Sequence, residues 1–220
     1  MNASANTGRA FADFETYQLG LYSAKYWNDF HLSFGLSSSL HDIYTSRNVK
    51  YIDLNDHDDA SLTGISHQAF TELGYTFNSS IVDVTPFVGV SYARVDLMGF
   101  EERQTRSALI GESGHAHVMS TLLGLRVHEN FKLSDESRIS YHAMAAWQSN
   151  SQGRPSATLH FAGGEAFTIS GVPVEKNALL LQGGVQYTVA DHLSLGLSYE
   201  GRMDRKIRDH SMKMELKLRF

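Results

Sequence analysis

A two-residue alternation of oily and polar side chains runs through almost the whole chain, and it restricts the fold more tightly than any other feature. Near the end, His210, Met212, Met214, Leu216, Leu218 and Phe220 fall on one side of an extended backbone. Asp209, Ser211, Lys213, Glu215, Lys217 and Arg219 fall on the other. Successive side chains of a strand point to opposite faces, so this reads as one long strand with a greasy and a charged side. Wound as a helix, Met212, Glu215 and Arg219 would share a face and no apolar stripe would form.

The same pattern recurs around Tyr17–Leu21, Phe30–Leu36, Leu73–Phe77, Val82–Tyr92, Met119–Val127, Ile139–Trp147, Leu179–Val189 and Leu193–Tyr199. The expectation is an all-β, antiparallel chain of about nine strands with no helix. Residues 3–13 alternate poorly and are expected as a polar N-terminal remnant or loop (1–13), ahead of one β-barrel domain (14–220). Connections are expected to run short and long in turn. The short ones lie at Trp27–Asp29, Asn78–Ser80, Asn130–Asp135 and Ala190–Asp191. The long ones lie at Thr45–Ser61, Met98–His115, Ser149–Lys176 and Gly201–Arg208. Tight turns on one side and long loops on the other are a habit of outer-membrane barrels. Tyr and Trp near strand ends suit the headgroup level of a bilayer.

No apolar run approaches the ~18 residues of a membrane-spanning helix. Hydropathy alone therefore reads as soluble, but alternating strands of a transmembrane barrel average to a polar score and escape that test. The first ten residues have neither a basic head nor an apolar core, so they do not read as a signal peptide. With 19 Lys+Arg against 24 Asp+Glu and a net charge of −5, nucleic acid is not the expected partner. The lack of cysteine removes disulfides, thiolate metal sites and Cys nucleophiles.

An unpaired backbone polar group in hydrocarbon costs several kcal/mol, so strands cross a bilayer only as a closed sheet. The apolar faces then meet lipid and the polar faces line the bore. On this reading Glu72, Arg126, His128, Arg138, His142, Glu200, Lys213 and Glu215 face the lumen. A soluble ligand-binding barrel or sandwich would turn the same faces inside out, and alternation alone does not separate the two. Leu122, Leu180 and Phe87, on the more polar faces, sit awkwardly with the membrane reading.

The stretch Thr71-Glu72-Leu73-Gly74-Tyr75-Thr76-Phe77, followed by Val84-Thr85-Pro86-Phe87-Val88-Gly89-Val90-Ser91-Tyr92, resembles the E-x-G-Y and P-x-x-x-x-x-Y strand pair of autotransporter β-domains. Gly20-Leu21-Tyr22 is similar to that family's G-x-Y strand. Phe161–Phe167, Gly183–Tyr187 and the alternating segment from His210 to Phe220 fit the same family. The resemblance implies an outer-membrane translocator of type V secretion in a Gram-negative cell, with a twelve-stranded barrel and a helix in its lumen. It further implies contact with outer-membrane lipid, an N-terminal passenger to be exported, and a barrel-assembly machinery that reads the last strand, here Leu216, Leu218 and Phe220. Against twelve strands, the nine visible ones lead to the expectation of a truncated form, with a smaller closed barrel as the rival.

Catalysis and metals leave little trace in the sequence. His115 and His117 share a strand face in an H-x-H pair but bring no third ligand. Asp53, Asn55, Asp56, Asp58 and Asp59 open like a calcium loop yet lack its glycine and distal glutamate, and read as a solvated acidic loop. His128 and His142 would be the histidines of a barrel hydrolase, the third reading, but no Gly-x-Ser-x-Gly elbow accompanies them. No cofactor, metal or enzymatic role is expected, and Glu72 is given no catalytic part.

Overall fold

The computed structural model describes all residues except 1, 7–9, 52–53, 104, 135–136, 152–154, 172–173, 191–192 and 219–220. Among the described residues there is no helix. In chain order the strands are β1 (Asn2–Asn6), β2 (Ala10–Trp27), β3 (Phe30–Tyr51), β4 (Leu54–Tyr75), β5 (Asp83–Leu97), β6 (Phe100–Glu101), β7 (Leu109–Gly111), β8 (Gly114–Lys132), β9 (Arg138–Asn150), β10 (Ser156–Phe161), β11 (Phe167–Ser170), β12 (Asn177–Ala190), β13 (Leu193–Met203) and β14 (Arg208–Leu218). The main sheet runs β1-β2-β3-β4-β5-β8-β9-β12-β13-β14, antiparallel throughout. Its nine long strands curl like a half-barrel around one concave face.

Register assigns every side chain to a face. Glu72 pairs with Ser33 and Gly89, Thr85 with Arg126, and Gly124 with Phe87 and Ala146, so these residues share one side. The buried residues of the long strands, among them Ser33, Ser39, Ser66, Phe87, Ser120, Ala146, Asn150 and Ala178, lie on that side, with Gly201 under the Tyr199 ring the exception among the described residues. Curling brings the side chains of the concave face together, so that face is identified. The convex face stays open: Leu19 and Met214 are each 81% exposed, and Leu197, Leu216 and Leu218 are all exposed.

Along β3 the convex face reads Phe30, Leu32, Phe34, Leu36, Ser38 and Leu40, then turns polar at Asp42, Ser46, Asn48 and Lys50. Ten residue steps at about 3.3 Å, tilted near 45°, give a band about 23 Å high. That matches the roughly 25 Å apolar belt of outer-membrane barrels. Trp27 stacks on Phe30, and Phe30 meets Tyr75 edge-on at 4.7 Å, an aromatic girdle at the lower rim.

Several expectations need correcting. Thr45–Ser61 is not a long loop: β3 and β4 stay in register from Phe30↔Tyr75 to Tyr51↔Leu54, and the hairpin stands well above the apolar band. Gly201–Arg208 is also mostly strand, with only 204–207 between β13 and β14. The other two long connections are real but folded. They supply β6, β7, β10 and β11, which form a separate four-stranded sheet in the order β11-β10-β7-β6. At the start, β1 pairs with β2 from Asn2↔Glu15 to Asn6↔Phe11, so the segment 1–13 contributes strand, and β2 begins at Ala10.

Candidate functional site: the concave wall

Low on the concave face, Arg126 and His31 converge on Glu72, with Phe87 beneath the arginine. Arg126 Nη1 donates to Glu72 Oε1 at 2.5 Å and Arg126 Nη2 donates to Oε2 at 2.8 Å, a bidentate fork reaching over β5. His31 Nε2 lies 3.5 Å from Oε1. The guanidinium carbon of Arg126 sits 3.9 Å over the ring of Phe87, whose aromatic face attracts a cation. Phe87, awkward in the sequence, is thus the floor of an ion pair and is 3% exposed.

Glycine makes room for the rings. A Cβ on Gly124 would lie 2.5 Å from Phe87 Cζ and 2.7 Å from Ala146 Cβ, so only glycine fits there. The rings of His31, Phe70 and His142 lie in the same way over Gly74, Gly35 and Gly184, their direct ladder partners. Glycine inside a strand marks such close approaches, and this was the readable signal for His31, which sequence reasoning did not select.

A second cluster lies above the apolar band. Arg47 donates through Nε and Nη2 to Glu102 at 2.8 and 2.6 Å, and through Nη2 to the Ser107 carbonyl at 2.5 Å. Its Nη2 is also 3.4 Å from Asp58, which is wholly buried. Thr105 and Ser107 donate their hydroxyls to Asp58, and Ser107 N–H and Oγ donate to Asp56. The β5–β8 connection is thereby strapped to the concave side of the tall hairpin. Burial pushes the Asp59 carboxyl up, but hydrogen bonds from Tyr44 and Ser46 and the charges of His57 and Arg103 outweigh it, holding Asp59 below the usual carboxylate range. The acidic run is therefore no solvated loop, and no group of three potential metal ligands occurs among the described residues. Asp53 lies outside those residues.

The ladder puts Glu72, Arg126, His128, Arg138, His142, Glu200, Lys213 and Glu215 on the same face. Of these, Glu72 and Arg126 are joined, and His128 and His142 are direct partners on β8 and β9. Gln182 donates to Glu200 at 3.4 Å, and Glu215 meets Lys217 at 3.3 Å. Arg138 pairs in register with Lys132 and Thr188. Leu216 and Leu218 are on the convex face of β14, while Phe220 lies outside the described residues. His115 and His117 also face outward.

The comparisons with known proteins agree with this geometry. The family model described as "Autotransporter beta-domain" matches residues 1–200. Two extracellular serine proteases of Serratia marcescens are 27% and 28% identical over 208 residues, covering 94% of this chain and 20% of theirs. The chain thus spans about a fifth of the length of these relatives. The translocator domain of autotransporter NalP from Neisseria meningitidis has the same fold, with a TM-score of 0.68 and 17% identity, over all of this chain and 72% of that one. Apolar convex face, polar concave wall and family match converge: the chain belongs to the autotransporter β-domain family, the family of translocator domains.

Proposed function

We propose that the chain forms the wall of an outer-membrane conduit that anchors and assists export of an N-terminal passenger in a Gram-negative cell. One observation carries this reading: a band of exposed Leu, Phe, Met and Trp covers the convex face, while the Glu72–Arg126 and Arg47–Glu102–Asp58 ion clusters and the buried serines lie on the concave one. Lipid is the solvent that fits the first face, and a hydrated bore fits the second. The six residues Leu193, Leu195, Leu197, Met214, Leu216 and Leu218 share the convex side, the reverse of a soluble barrel. Conducting a polypeptide calls for no catalytic group in the wall, and the protease activity in the relatives' names is said of those proteins.

Among the described residues β14 pairs only with β13, and an open strand edge is a template for strand addition. Leu216 and Leu218 on that strand, together with Phe220, are therefore assigned as the signal read by the barrel-assembly machinery. Heat-modifiable gel migration and detergent dependence of the expressed chain test the membrane reading. A monomer that stays soluble without detergent would overturn it. Deleting Phe220 tests the signal, with impaired insertion into outer membranes as the expected result.

A further inference from the structure

High on the concave face, three side chains from three adjacent strands form a hydrogen-bonded row. Ser66 Oγ on β4 lies 2.8 Å from His41 Nε2 on β3, and His41 Nδ1 lies 3.0 Å from Thr16 Oγ1 on β2. Ser66 is 8% exposed and the other two are half-buried. The arrangement is a hydroxyl in reach of an imidazole whose far nitrogen is held by a third group, the pattern that activates a serine. Beside it opens a cavity of about 420 Å³ with an almost wholly apolar lining, including Leu62, Ala93, Val95, Leu97, Val118 and Leu159. Val95 is the direct ladder partner of Ser66, and Leu97 that of Gly64. The cavity wall therefore begins one strand, about 4.8 Å, from the serine. Its size is that of small-molecule pockets, roughly 300–1,000 Å³.

We propose that Ser66 and His41 form an acyl-transfer site for carboxylic esters, with Thr16 as the positioning residue and the apolar cavity as the acyl pocket. This role is independent of passenger export. When His41 donates Nδ1–H to Thr16, its Nε2 lone pair accepts the Ser66 proton. Ser66 Oγ then bonds to the ester carbonyl carbon as its proton passes to Nε2, and the alcohol leaves with that proton. Water attacks the acyl-serine, gives a proton to His41, and the carboxylic acid departs as Ser66 regains its hydrogen. The net change is ester plus water to acid plus alcohol. Ser39, the direct ladder partner of Ser66, and Gln68, two residues along β4 on the same face, are side-chain donors placed along the wall for the developing oxyanion.

A row that merely satisfied polar groups would show these hydrogen bonds and no nucleophilicity, so a fluorophosphonate probe separates the two. With the full chain folded in detergent, the expected label maps by peptide mass to Ser66, with fluoride leaving as the Oγ–P bond forms. Ser66→Ala should abolish it, and His41→Gln should slow it by roughly 100-fold. Thr16→Val should move the acid limb of the pH–rate profile. Ala93→Phe, which fills the pocket, should lower hydrolysis of p-nitrophenyl hexanoate by about tenfold while sparing the acetate. Heat-modifiable migration checks that each variant folds; should Ser66→Ala not fold, the mapped position of the label on the unaltered chain decides alone. No label at Ser66, or an equal rate in folded His41→Gln, overturns the proposal.

Discussion

Replacing Glu72 by Gln keeps the shape of the side chain and removes the charge that Arg126 grips. Removing one partner of a fully buried ion pair costs about 3–5 kcal/mol. Here the Glu72 side chain is 15% exposed but that of Arg126 is 38% exposed, so water recovers part of the loss and about 2 kcal/mol remains. Arg126→Met should cost about 3 kcal/mol, because it also forfeits the contact with Phe87, worth about 1 kcal/mol. The double variant should then be less destabilised than the sum of the two by about 2 kcal/mol, since the second change removes an interaction already gone. Urea unfolding in detergent micelles, read on heat-modifiable gels, measures all three. At about 2 kcal/mol per molar urea, Glu72→Gln should lower the midpoint by about 1 M. Additivity of the two single changes within about 0.5 kcal/mol would refute the pair as a stabilising element.

Gly124→Val should lower stability by about 1–3 kcal/mol by driving a branched side chain into Phe87 and Ala146, with Phe87→Ala as the rescuing second change in the same urea assay. Arg47→Met should release the β5–β8 connection while sparing the main sheet, so limited proteolysis within 98–113 should accelerate by roughly 100-fold, the equivalent of about 3 kcal/mol. Asp59 and Asp204, the latter held down by N–H donors of Lys206 and Ile207, both have folded-state pKa values below the unfolded ones. Their contribution is thus present above pH of about 4 and fades as pH falls through the lowered values, which amide exchange of the hairpin tips across pH 2–6 should register. Leu36→Arg should impair folding into lipid vesicles by about 2–4 kcal/mol, whereas Ser37→Arg, one residue on and facing the bore, should insert nearly normally.

The faces of the strands were legible because alternation is local: Leu195, Leu197, Met214 and Leu216 announce their side whatever they pair with. Loop lengths were less so. Asn48, Asn55, Asp56 and Asp58 are turn-forming types, and read by propensity they end a strand near Thr45. What keeps them extended is a ladder with their own hairpin partners and a charge cluster completed by Glu102 and Ser107, some fifty residues away. The Glu72–Arg126 pair was half visible, since an interior Glu calls for a cation, but choosing Arg126 over Arg138 needs the register of β4, β5 and β8. The row of Thr16, His41 and Ser66 lay beyond sequence reasoning altogether: no motif marks it, and 25 residues separate each neighbour.

What holds such a wall together differs from what holds a globular domain. Among the described residues the largest side chain buried completely is an aspartate, Asp58, and the buried apolar residues of the long strands are alanine apart from Phe87. Burial of oil, at about 25 cal/mol per Å², therefore supplies little of the stability in water. Backbone ladders join every neighbouring pair of long strands, and in hydrocarbon those hydrogen bonds have no water to compete with. On the proposed outer-membrane placement, the exposed Leu and Phe of the convex face count as buried against acyl chains. The solvent supplies the missing hydrophobic core, and the polar concave wall is left free for glycine-seated rings and ion pairs that fix its shape.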